Sequence, residues 1–153
     1  LKAQELLQKD WGVSADVWSV TSWNELRRDG LEVDSHNLLN PSSKKSAYVT
    51  TRLKDAQGPV IAVSDYMRSV QDQIAPWVEQ DFVSLGTDGL GLSDTRGALR
   101  RHFKVDAESI VVATLAQLAK SGDVKESVVQ EALNKYRLDD ISAADTGNTE
   151  GSG

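Results

Sequence analysis

The residues with the clearest potential for chemistry form a glycine-rich segment, Gly86-Thr87-Asp88-Gly89-Leu90-Gly91. The segment follows a predicted strand and precedes a predicted helix, where backbone N–H groups can hold a phosphate. However, it lacks the complete G-x-G-x-x-G spacing and the G-K-[ST] sequence of a P-loop. The carboxylate of Asp88 would also repel an anion. A structural turn is therefore favoured, with anion binding as the alternative.

Basic side chains on the helix that follows form a second candidate site. Arg96 and Arg100 are four residues apart and share a helix face, with Arg101 and His102 beside them. This arrangement favours a solvated or interface surface over a ligand site. The chain has two histidines, His36 and His102, and their spacing is not that of metal ligands.

Nucleophilic catalysis is not indicated by the sequence. Ser64-Asp65 and Ser93-Asp94 resemble parts of hydrolytic sites, but both pairs stand where helices need N-caps. There is no G-x-S-x-G sequence, and the absence of cysteine excludes thiol nucleophiles, disulfides, thiolate zinc sites and iron–sulfur clusters. The sequence thus predicts no catalytic, cofactor-binding or metal-binding residue in this chain.

Three tryptophans complete the set of candidate residues. We expect them to lie in the core or at a subunit interface, because large aromatic side chains contribute mainly through burial. Together with the arginines, the predicted interface residues are Trp18, Trp23, Trp77, Arg96, Arg100 and Arg101.

The elements that would position these residues alternate between strand and helix. Short apolar runs predict strands at 16–21, 60–63 and 82–85, each followed by a helical pattern. This order is typical of βαβ units around a parallel sheet that is covered on both faces. Two helices near the end of the chain, separated by about two residues, predict an antiparallel hairpin. The predicted fold is an α/β, three-layer domain with a mostly parallel sheet and a C-terminal helical hairpin.

Local signals set the expected limits of several elements. The sequence Ser22-Trp23-Asn24-Glu25 fits a capping box, which predicts a helix start directly after the first strand. We expect this helix to end near Gly30 and to be followed by an irregular segment over 31–45. The helical pattern that begins at Leu1 has no N-cap residue before it, so we expect further residues upstream.

Length and composition are those of a single domain. The 153 residues include 17 Lys+Arg and 23 Asp+Glu, which gives a net charge of −6. The longest apolar run, Ile110 to Ala119, is shorter than the roughly 20 residues of a membrane span. No signal-peptide pattern is present, and the acidic excess disfavours nucleic acid as a partner. We therefore expect a cytoplasmic protein that contacts neither membrane nor nucleic acid.

Three segments in combination resemble the C-terminal domain of homodimeric, bacterial-type pyruvate dehydrogenase decarboxylases, a branch of the transketolase superfamily. They are SADVWSVTSWNELRRDG from Ser14, PVIAVSDYM from Pro59, and LGTDGLGLSDTR from Leu85 with LRRHF shortly after it. Leu90 stands where transketolase itself has the Phe of F-G-x-S. The resemblance covers about residues 1–140.

The resemblance implies a function for a larger enzyme. Such enzymes use thiamine diphosphate and Mg²⁺ to decarboxylate pyruvate oxidatively and to acetylate lipoyl groups of a dihydrolipoyl acyltransferase. Their cofactor signature, G-D-G with a downstream Asn, is not in this sequence, so this fragment is expected to bind no cofactor and to be inactive alone. The resemblance implies a role in assembly of the homodimer and of the complex. The alternative is a small-molecule or anion-binding regulatory module.

The resemblance also implies domain limits. The family's C-terminal domain opens with a strand of V-x-L-x-G-S-G character, which is not found before the first helix here. We therefore expect a domain over 1–141 that lacks its first strand. The polar segment 142–153 is expected to be a disordered tail.

Overall fold

The computed structural model describes residues 1–89 and 96–140, and within them helices outnumber strands. The elements in chain order are α1 (Lys2–Trp11), α2 (Trp23–Leu39), α3 (Tyr48–Leu53), β1 (Val60–Val63), α4 (Arg68–Asp72), a 3-10 turn (Ala75–Trp77), β2 (Phe82–Leu85), α5 (Arg96–His102), α6 (Ala107–Ser121) and α7 (Glu126–Tyr136). The predicted tail at 142–153 lies outside the described residues.

The two strands form a small parallel sheet, as expected for a βαβ unit. Val60 pairs with Phe82 and Val63 with Leu85, and the connection between the strands contains α4 and the 3-10 turn. The strands predicted at 60–63 and 82–85 are therefore confirmed, and the chain has an α/β architecture.

The strand predicted at 16–21 is not formed, so the expectation of three strands was wrong for the described residues. No backbone hydrogen bond joins residues 16–21 to another described residue. Val17 and Trp18 are 55% and 56% exposed. The β preference of these residues reflects how well they pack on a sheet, and no described strand lies alongside to receive them.

Helix α2 begins as predicted and ends later than predicted. The hydroxyl of Ser22 accepts the backbone N–H of Glu25 at 3.2 Å, which confirms the cap. The helix then continues through Gly30 to Leu39, so the irregular segment expected from residue 31 begins at Asn40. Gly30 lies inside the helix, where its lack of a side chain makes room for Trp77. A Cβ at this position would lie 2.3 Å from the indole.

Two separate clusters form the core. The first joins α1, α6 and α7 through Leu7, Val111, Leu115 and Ala132, and it confirms the predicted C-terminal hairpin. The second lies between α2, α3 and the α4–β2 region. Its buried residues and the side chains packed on them are Ala47, Val49, Ile74, Trp23, Leu26, Leu53, Trp77, Val78 and Phe82.

A buried arginine joins the helices of the C-terminal half. Arg101 at the end of α5 is 3% exposed, and its guanidinium pairs with Asp106, the N-cap of α6. The same guanidinium lies 3.5 Å from Glu108 and donates to the carbonyl of Tyr136 at 2.9 Å, where α7 ends. Lys2 of α1 approaches Glu108 at 3.6 Å. One cation thus connects three helices and, through Glu108, a fourth.

A second group of polar contacts joins α1 to α7. The indole N–H of Trp11 donates to the hydroxyl of Tyr136 at 2.9 Å, and this hydroxyl donates to Asp10 at 2.8 Å. Lys135 lies 2.9 Å from the Asp10 carboxylate and 5.7 Å from the Trp11 ring. Burial raises the pKa of Tyr136 from 10.0 to about 12.

Replacing the buried arginine is expected to destabilise the domain strongly. Arg101→Met would leave two carboxylates without their main partner, at a cost of about 3–5 kcal/mol. The matched control, Arg100→Met, alters an exposed side chain and should cost about 0.5 kcal/mol or less. Urea unfolding of both variants measures the difference. Equal losses in the two variants would contradict the role assigned to Arg101.

Removing the Tyr136 hydroxyl is expected to loosen the contact between α1 and α7. Tyr136→Phe deprives Trp11 of its acceptor and Asp10 of a donor, so a loss of about 1–2 kcal/mol in unfolding free energy is expected. Tyr48→Phe is the control, because the Tyr48 side chain is half exposed and its hydroxyl accepts from the exposed Arg52 within its own helix. An equally small effect of both changes would count against the contact.

The same contact predicts a pH dependence. Hydrogen bonds from Lys135 and then from Tyr136 hold the pKa of Asp10 below its ordinary value of 3.8. The stability that ionised Asp10 contributes is therefore present above pH 3.8 and is lost as the pH falls through its lower folded-state pKa. Unfolding free energies of Asp10→Asn and of the unaltered chain should differ at pH 7 and converge on acidification. A constant difference would refute this linkage.

Candidate interaction site

The candidate interface residues fall into surface and interior groups. Trp18 is more than half exposed and has the exposed side chains of Val17 and Val20 beside it. Arg100 is also exposed. Arg96 is the first residue of α5, and its side chain lies outside the described part of the chain. Among the candidates whose side chains the structure describes, Trp18 and Arg100 are the ones classed as exposed.

Trp23 and Trp77 pack against the second core cluster. Trp77 covers Gly30, and its indole N–H donates to Asp34 at 3.1 Å, so the ring lies against α2. Packing within the domain accounts for both side chains. Their role at a subunit interface remains a prediction.

Arg101 does not share the surroundings of Arg100. Its side chain is 2% exposed and its donors are taken by Asp106, Glu108 and a backbone carbonyl. The sequence placed the two arginines in one group because they are adjacent. Adjacent residues on a helix point about 100° apart, so one can be buried while the other faces water.

The glycine-rich segment is described only as far as Gly89, and Leu90 and Gly91 lie outside the described residues. Its first residues are tied to the segment after β1. The N–H of Thr87 donates to the carbonyl of Tyr66 at 2.9 Å. A Cβ on Gly86 would lie 2.4 Å from that same carbonyl oxygen, so only glycine fits there. This close approach explains why residue 86 is glycine, without a role in ligand binding.

Asp88 has a structural partner as well. Its carboxylate accepts the backbone N–H of Arg68 at 3.0 Å and pairs with the Arg68 guanidinium. The hydrogen bond from the guanidinium, followed by that from the N–H, lowers the pKa of Asp88. Asp88 is therefore ionised, and its negative charge lies beside the backbone N–H groups that would have to bind an anion. The described part of this loop does not support the anion-binding alternative.

Gln71 joins the carboxyl ends of both strands. It is fully buried, and its side-chain N–H₂ donates to the hydroxyl of Ser64 at 2.5 Å and to the carbonyl of Leu85 at 3.2 Å. Ser64 also accepts the N–H of Tyr66, so its hydroxyl stabilises the turn before α4. The prediction that Ser64-Asp65 caps the next helix was wrong, because α4 begins at Arg68 with Met67 as its N-cap. Sequence reasoning missed Gln71, whose polar type gives no sign of burial.

The described residues contain neither a group of metal ligands nor a membrane-spanning helix. Within residues 1–89 and 96–140, no three His, Cys, Asp or Glu side chains are grouped so that they could hold a metal ion. No helix in this part of the chain is long and apolar enough to cross a membrane.

Two exposed leucines at the end of α2 were missed by the sequence analysis. Leu38 and Leu39 are 82% and 79% exposed, and Leu31 on the same helix is 42% exposed. The available signal is the apolar pair itself, which falls within the segment predicted to be irregular. Recognising that α2 extends past Gly30 would have placed these leucines on a helix surface.

Comparison with known proteins identifies the family. Residues 1–106 match the family model of the transketolase-like TK C-terminal domain. The pyruvate dehydrogenase E1 component of Mycolicibacterium smegmatis is 55% identical over 145 residues, which is 94% of this chain and 16% of that protein. The corresponding proteins of Mycobacterium tuberculosis and Escherichia coli K12 are 51% and 44% identical, over 98% and 90% of this chain.

These relatives are much longer than this chain. The chain spans about 16% of each of the three proteins, so it corresponds to one part of a much larger polypeptide in each of them. The matched region of the family model includes α1, both strands and α5. The chain belongs to the transketolase-like C-terminal domain family.

Proposed function

We propose that this chain is the C-terminal domain of a pyruvate dehydrogenase component that depends on thiamine diphosphate. The whole enzyme would decarboxylate pyruvate oxidatively and acetylate lipoyl groups. The observation that carries the proposal is the 55% identity to a pyruvate dehydrogenase E1 component over 94% of this chain. We assign the domain a role in assembly, and we expect no catalysis by it alone.

The charges of the described residues support a structural role. The carboxyl groups whose pKa values are lowered are Asp10, Glu25 and Asp88, and each is paired with a cation of the same domain. Glu25 pairs with Arg28 on the surface of α2. Ion pairs account for these shifts, whereas a general acid or base would need a pKa moved toward neutrality.

The described residues do not fit the cofactor that the function requires. Thiamine diphosphate carries an anionic diphosphate and acts as an electron sink during decarboxylation. The acidic residue of Thr87-Asp88-Gly89 is occupied by Arg68, and no metal-binding group is found in the described part of the chain. We therefore propose that thiamine diphosphate and Mg²⁺ bind to other parts of the longer protein.

The proposed partners are a second subunit, in a homodimer, and the dihydrolipoyl acyltransferase, in a cytoplasmic complex. The exposed positions of Trp18 and Arg100 support their use as contacts. Trp23, Trp77 and Arg101 would contribute indirectly, since they hold the surface elements in place. Arg96 is retained as a candidate on sequence grounds.

We also propose that residues 1–141 are completed by a strand from elsewhere in the longer protein. The segment 16–21 supports this, because its backbone has no hydrogen-bonded neighbour among the described residues and its apolar side chains are exposed. Such a segment can accept a strand by edge-to-edge pairing. The segment 142–153 is proposed to be a tail.

Activity measurements test the main proposal. The 153-residue chain with thiamine diphosphate, Mg²⁺ and pyruvate should release no carbon dioxide, and the longer polypeptide that contains it should do so. Deletion of this domain from the longer polypeptide should abolish assembly. Decarboxylation by the 153-residue chain alone would overturn the proposal.

Hydrogen exchange tests the proposed strand. Backbone amides of Val17 to Val20 should exchange rapidly in the isolated chain and at least about a hundred-fold more slowly in the longer protein, because pairing protects them. Amides in β1 provide the control, since they should be protected in both. Rapid exchange at Val17 to Val20 in the longer protein would exclude the strand.

A further inference from the structure

The exposed leucines of α2 form a patch that the domain itself does not cover. Leu31 and Leu38 are seven residues apart, which places them on one face of the helix, and Leu39 lies beside them at its end. Leu38 and Leu39 are both close to 80% exposed. We call these three side chains the leucine patch.

The patch is held in a fixed position by the loop that follows the helix. The N–H of Asn40 donates to the carbonyl of His36 at 2.9 Å, and His36 contacts the carbonyl of Ser43 at 3.0 Å. The side chain of Asn37 bonds to both the N–H and the carbonyl of Lys45, at 2.7 and 2.9 Å. The loop therefore folds back on the side of His36 and Asn37. The exposure of the leucines does not result from an unwound helix end.

The size of the patch indicates what kind of partner can cover it. Three leucine side chains offer roughly 300 Å² of apolar area, whereas each partner in a specific complex of standard size buries about 800 Å². This patch alone could not hold a free partner. A small contact is sufficient when the two surfaces are joined by a chain, because the tether raises the effective concentration to the millimolar range.

We infer that the leucine patch docks against another domain of the same polypeptide. This inference rests on the proposal that the chain is one part of a longer protein. The chain matches about 16% of the length of its relatives, so most of each relative consists of other parts that could contain such a domain. The surface that covers the patch is predicted to be apolar. It would fix the orientation of α2 relative to the rest of the subunit.

Thiol labelling of the longer polypeptide tests this inference. The present chain contains no cysteine, so Leu39→Cys introduces a defined site that can be followed by peptide mass spectrometry. Glu131→Cys, at an exposed position of α7, is the matched control. Each rate is divided by the rate for the same variant unfolded in urea. We expect labelling at position 39 to be slowed at least ten-fold by the native fold, and labelling at position 131 much less.

Dilution and omission of partners identify the covering surface. Protection at position 39 should persist when the protein is diluted until its subunits separate, and it should not require the acyltransferase. Fast labelling at position 39, protection lost on dilution, or protection only with the acyltransferase would each overturn the inference. The decarboxylase activity of the same samples is measured separately, so an active enzyme with an accessible Leu39→Cys refutes the docking and leaves the proposed function intact.

Discussion

The guanidinium of Arg101 lies where α5, α6 and α7 meet, and the arrangement of these helices depends on it. It pairs with Asp106, which caps α6, approaches Glu108 in the first turn of α6, and donates to the carbonyl of Tyr136 at the end of α7. A buried cation is tolerated only when its donors are satisfied in this way. The position of α5 therefore follows from the positions of α6 and α7, and Arg100 is directed outward as a consequence.

Several polar residues of this domain hold its elements together. Arg68 and Asp88 fix the loop after β2, Gln71 joins the ends of the strands, and Tyr136 fastens the first helix to the last. This use of charged groups is consistent with a supporting domain. Within the described part of the chain, exposed apolar side chains are found in the segment 16–21 and in the leucine patch.

The sequence predicted the helical hairpin, the two strands and the Ser22 cap, because these depend on local patterns. It did not predict the length of α2, since the close packing of Trp77 on Gly30 is a contact between residues far apart in the chain. It also grouped Arg101 with Arg100, because burial depends on where Asp106 and Glu108 lie in space. The strand expected at 16–21 has the right composition, but strand formation requires a neighbouring strand.

The proposed function makes this chain one non-catalytic domain of a larger thiamine-dependent enzyme. The most direct test is the intact mass of the native polypeptide that contains this sequence, measured together with its decarboxylase activity. We expect an active polypeptide several times heavier than the 16.7 kDa of this chain. An active native polypeptide of about 16.7 kDa would contradict it.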